Sequence, residues 1–185
     1  MIKQLSDPEI INRSREANEL LTALENPTNE QLEELLGFHT NCEYLSILDI
    51  LNQDVKSDKI AVLTHPFFNL KENYEKRLNK FIQTFSFPLI ILSYDIKEDS
   101  IKIENLSSRK EQFYLAAGYQ IAVPQAGFDI VARIINGFSP KEVLLGGAKL
   151  GYDERGNPAQ CVGFTYNNLK NKVPSLKIDK NICNM

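Results

Sequence analysis

Apolar residues along this chain fall into two kinds of run. Some are short and continuous: Ile60-Ala61-Val62-Leu63, Leu89-Ile90-Ile91-Leu92 and Val143-Leu144-Leu145. Others recur every third or fourth position: Leu70, Tyr74, Leu78, Phe81 and Phe85, then Phe128, Val131, Ile134 and Ile135. A short continuous run bounded by turn residues suits a strand covered on both faces, and the wider spacing suits one face of a helix. Strand, amphipathic helix and strand in succession form a βαβ unit, which needs parallel strands and a right-handed crossover. The pattern therefore predicts an α/β fold, a mostly parallel sheet in a three-layer sandwich.

Start and stop signals extend this reading. Asn69 with Glu72 predicts a cap for the helix of the first βαβ unit. After the second run, Ile101 and Ile103 alternate as in a short strand, with Leu106 close to its end. Ser108 with Glu111 then predicts a helix to Ala117 that Gly118 ends, followed by a strand from Tyr119 to Val123 that Pro124 breaks. Gly146-Gly147 is expected to stop the third run. A helix from Cys161 to Lys170 and a strand from Leu176 to Ile178 complete the set, with Pro174 between them. Ahead of all this, Ser6-Asp7-Pro8-Glu9, Thr28-Asn29-Glu30-Gln31 and Thr40-Asn41-Cys42-Glu43 are three helix openings, each followed by one apolar stripe. Residues 1–56 thus form a helical N-terminal extension, and residues 57–185 the α/β domain.

Charge divides along the same line. Residues 1–56 hold eleven acids and four bases, a balance of −7, and residues 57–185 hold thirteen acids and seventeen bases, a balance of +4. The larger part suits an anionic small ligand; the acidic helices suit a partner surface or a second copy of the chain. A net acidic chain without a basic cluster argues against nucleic acid as partner. No run approaches the length of apolar residues that a membrane span requires, so no membrane partner is expected. Three scattered cysteines and an amino terminus without an apolar signal segment point to a reducing, cytoplasmic setting. His39 and Cys42 have the spacing of a metal pair but no second pair completes it, so neither a metal nor another cofactor is expected.

In a parallel sheet, ligands gather beyond the carboxyl ends of the strands, where helix amino termini present unpaired N–H groups. Eight of the nine glycines lie between Gly118 and Gly163, which marks the same region. The candidate catalytic residues are Cys161, His65 and Asp95; the candidate ligand-binding residues are Gln125, Gly146, Gly147 and Arg155. A cysteine opening a helix is favoured as the thiolate, the form that attacks. Each residue also has a plain structural alternative: a buried thiol for Cys161, a turn histidine for His65, a capping acid for Asp95 and an ordinary turn for the glycine pair. Function accordingly divides into two hypotheses. One is a divergent hydrolase or binder acting on a small polar metabolite; the other is a non-catalytic interaction or assembly protein, homo-oligomeric through its acidic helices.

Cys161-Val162-Gly163-Phe164-Thr165, preceded by Val143-Leu144-Leu145-Gly146-Gly147, resembles the Cys-Val-x-x-Thr element and preceding strand of the isochorismatase-like cysteine hydrolases. The resemblance spans about residues 59–182 and implies a three-layer α/β sandwich more than an activity: either a divergent hydrolase with Cys161 as nucleophile or a member that has lost the chemistry. Two of that family's positions differ. Thr64-His65-Pro66 stands where the family carries its catalytic Asp, and Gln125 stands at its Lys. Residues 148–160 are also inserted between the glycine pair and the cysteine.

Overall fold

The computed structural model describes residues 39–40, 56–93, 96–106, 114–118 and 125–185. Its first strand is the dipeptide β1 (His39–Thr40), followed by β2 (Lys59–Thr64), helix α1 (Glu72–Thr84), β3 (Leu89–Ser93), α2 (Ile96–Leu106) and β4 (Tyr114–Gly118). The second half consists of α3 (Gln125–Gly137), β5 (Glu142–Ala148), the short β6 (Gly151–Tyr152) and β7 (Pro158–Ala159), α4 (Gln160–Leu169) and β8 (Leu176–Asn184). The main sheet runs β1-β4-β3-β2-β5-β8, with every neighbouring pair parallel except β1 with β4. The mostly parallel α/β architecture is therefore present. The expected N-terminal helices lie outside the described residues.

The continuous apolar runs are continuous because both sheet faces are covered. Ile60, Val62, Ile90, Leu92, Val143 and Leu145 pack with Phe128, Val131, Ile134 and Ile135 of α3 and with Val162 and Leu169 of α4. Ala61, Leu63, Leu89, Ile91 and Leu144 pack on the opposite face with Tyr74, Leu78 and Ile82 of α1 and Ile103 of α2. Side chains two residues apart share a face, so successive residues of each run enter opposite cores. Each such large apolar side chain contributes about 1.5–3 kcal/mol through burial.

The expected stripe of α1 is present, with Tyr74, Leu78 and Phe85 buried, Leu70 and Phe81 partly buried against them, Phe81 stacked on Phe85 at 4.7 Å, and Ile82 added to it. Several other local expectations are corrected. The start of α1 is not an Asn69 cap: the helix begins after Lys71, which makes no side-chain cap bond, and the Asn69 carbonyl accepts a bond from Asn184 Nδ2 at 3.0 Å. Residues 96–106 are helical and not a strand, because the inward positions are Asp99 and Ile103 with Leu106 partly buried, spaced four and three apart, while Ile101 is 49% exposed. Tyr114–Gly118, expected as a helix, is a strand held between β3 and β1, so tertiary pairing overrides the helix preference of its Leu and Ala residues. The strand expected at Tyr119–Val123 lies outside the described residues.

A further correction concerns Gly146-Gly147, which does not end the strand. β5 continues through both glycines to Ala148, pairing Leu63 with Gly146 and Thr64 with Gly147. β8 likewise extends to Asn184, well past Ile178, and its register against β5 shifts between Leu145 and Gly147. Close approach explains the glycine pair: a Cβ at Gly146 would lie 2.5 Å from the Ile182 side chain. The alternation that identifies the strands carries no information about which small residue ends one.

At the opposite end of the sheet, Glu142 accepts from Lys59 Nζ of the neighbouring β2 at 2.5 Å and from Lys177 Nζ of β8. Hydrogen bonds from Lys177 first and Lys59 second hold the Glu142 carboxyl below the ordinary carboxylate range. The unfolded chain then binds this proton before the folded one does. The stabilisation is present above the unfolded carboxylate pKa and is lost as pH falls through the lower folded value. Glu142→Gln is expected to lower stability near neutrality and to reduce the fall in stability on acidification. Urea titrations from pH 7 to pH 3 test this, and parallel curves for variant and parent would refute it.

Candidate functional site

The order β4-β3-β2-β5-β8 reverses at β2. The chain leaves β2 outward through β3 and β4, then returns to lay β5 along the other side of β2. The helices following β2 and β5 lie on opposite faces, α1 in one core and α4 in the other. Their connections therefore diverge at the carboxyl ends of β2 and β5, the position at which doubly wound sheets bind ligands. The Thr64–Gly147 register pair marks this point, and the sequence-predicted residues divide around it.

Cys161 is the second residue of α4, half-buried and not in a disulfide. Two features fix this helix start. The peptide N–H of Val162 donates to the Lys149 carbonyl at 3.0 Å, tying the first turn to the chain just beyond β5. Gly163 lies so close to the hairpin that a Cβ there would be 2.3 Å from the Pro158 carbonyl carbon. Between them, Gln160 has φ 60°, a left-handed conformation unusual for a residue with a side chain. The Val162 N–H is thus engaged by protein at the turn where the helix amino terminus is expected to offer free donors.

The side chain joining β2 to this helix is Thr64. Its hydroxyl, fully buried, donates to Thr165 Oγ1 at 3.1 Å, and Thr165 Oγ1 in turn donates to the Cys161 carbonyl at 3.0 Å. Alternation explains the choice: Thr64 follows Ile60 and Val62 onto the α4 face. The sequence pattern points to the neighbouring His65 and not to this pair. The one signal for it is Thr165 four residues after Cys161, where a threonine hydroxyl reaches back to the i−4 carbonyl. Thr165→Val is expected to cost about 1–3 kcal/mol, because it leaves the buried Thr64 hydroxyl without this acceptor, and Thr165→Ser should recover most of the loss. Chemical denaturation of both variants measures it; equal stabilities for Val and Ser would show that the hydroxyl chain contributes little.

His65 is only 2% exposed and has φ 45°, the left-handed start of a turn that ends at Asn69 with φ 53°. Its N–H donates to the Leu92 carbonyl at 2.7 Å, and its ring meets Phe68 edge-on at 6.5 Å. The Pro66 carbonyl in the same turn accepts the Tyr74 hydroxyl at 2.9 Å. Burial lowers the imidazole pKa to about 4, so His65 is neutral at pH 7. A neutral ring can orient a ligand by hydrogen bonding, but a base this weak removes a thiol proton poorly.

Asp95 lies outside the described residues, and Gln125 is placed as the first residue of α3. Arg155 sits at the exposed tip of the β6–β7 hairpin. Its N–H donates to Asp153 Oδ1 at 2.9 Å, beside two bonds from Asn157 to the same carboxylate. These bonds, those from Asn157 foremost, hold Asp153 below the ordinary carboxylate range and make the acidic run a turn anchor. At the end of β3, the buried Ser93 hydroxyl donates to Asp99 Oδ2 in the first turn of α2. In the sequence Asp99 falls within a polar stretch that looks like a turn, which hides this carboxylate.

Cys183, buried on β8, donates from Sγ to the Asp179 carbonyl at 3.2 Å. Burial first and the Asp179 charge second push its thiol up to about 12. Among the described residues, no three His, Cys, Asp or Glu side chains converge as a metal site, and no helix is long and apolar enough to cross a membrane. Compared with protein-family models, curated proteins and solved structures, the chain matches none of them.

Proposed function

We propose that this chain binds a small polar metabolite beyond the carboxyl ends of β2 and β5 and acts on it as a divergent hydrolase with Cys161 as nucleophile. The observation carrying this reading is the Thr64–Thr165–Cys161 hydrogen-bond chain, which fixes the helix start bearing the cysteine to the strand end at the topological switch point. In the proposed reaction, the Cys161 sulfur attacks the carbonyl carbon of an amide or ester, the carbon–nitrogen or carbon–oxygen bond breaks, and the amine or alcohol departs carrying the thiol's proton. Water then cleaves the thioester, returning the thiol and releasing an acid. His65 serves as a neutral hydrogen-bonding group toward the ligand. Gly146 and Gly147 let β5 pack closely on its neighbours at this point, and Asp95, Gln125 and Arg155 are the further candidates for contact with the ligand. The free thiols of Cys161 and Cys183 accord with a cytoplasmic setting.

Labelling tests the first step. Under native conditions iodoacetamide is expected to modify half-buried Cys161 well before Cys183. A set of small polar amides and esters should then leave an acyl adduct on Cys161 of the parent protein, seen by intact-mass analysis, and none in Cys161→Ala. Equal turnover by the two proteins, or no adduct from any member of the set, would overturn the proposal.

A second reading is a non-catalytic assembly protein, homo-oligomeric through acidic residues 1–56. The observation favouring it is the buried His65, which is a weak base where cysteine chemistry would want a strong one. Sedimentation of the full chain separates this reading from the first: a monomer at micromolar concentration would count against it.

A further inference from the structure

We draw no further inference here: the strongest candidate, the aromatic patch that the exposed Phe164 of α4 makes edge-on with Phe128 of α3, is an apolar face on which nothing among the described residues shows what covers it.

Discussion

Gly147→Ala is expected to leave little folded protein, at a cost of about 4 kcal/mol or more, the upper end of single-substitution effects. Two independent penalties coincide at this position. Gly147 has φ 119°, which residues with a side chain rarely adopt. An added Cβ would also lie 1.9 Å from the Thr64 carbonyl oxygen and 2.6 Å from its nitrogen. Both are backbone atoms of the adjacent central strand, so no side chain can rotate away to make room. Gly156→Ala is the matched control, because that glycine also has a positive φ, 79°, but nothing lies within 4 Å of its added Cβ. Only the conformational penalty applies there, about 1–2 kcal/mol. Thermal or urea unfolding of the two variants measures both effects. A Gly147→Ala protein as stable as Gly156→Ala would mean that β2 and β5 are not packed this closely.

That contrast marks the limit of what glycine content alone can reveal. The crowding between Gly118 and Gly163 signals close backbone approach, but composition does not distinguish a turn from a strand pressed against its neighbour. Gly146-Gly147 has the look of a strand stop and lies within β5, whereas Gly156 does sit in a turn. The central strands are legible because burial on both faces leaves an unmistakable apolar run. The stretch from 96 to 118 is not, since Ile101 and Ile103 fit a period of two as well as Ile103 and Leu106 fit a helix. Only the positions of Asp99 inside and Ile101 outside decide between them. The candidate site is legible to the extent that it follows from topology: strand ends and a cysteine opening a helix. Thr64 and Asp99 are not, because their importance rests on partners 101 and 6 residues away, Thr165 and Ser93.

Acidification from pH 7 to pH 4 is expected to remove about 3 kcal/mol of stability through His65 alone. The imidazole has its ordinary pKa of 6.5 when exposed and about 4 in the fold, where burial disfavours the charged ring. Between those values the unfolded chain binds a proton that the folded chain does not. Stability therefore rises with pH across this window and falls on acidification, levelling off once the folded imidazole titrates near pH 4. A separation of about 2.5 pKa units at about 1.4 kcal/mol each gives the expected size. His65→Asn isolates the effect, since asparagine tolerates the left-handed backbone at this position and carries no titrating group. The readout is the slope and not the stability at pH 7: between pH 6.5 and pH 4 the variant should be flatter by about 3 kcal/mol over the window. Guanidinium unfolding at half-unit pH intervals reads this difference directly. Equal slopes would mean that the folded imidazole takes up its proton as readily as the unfolded one, and that burial does not hold its pKa down.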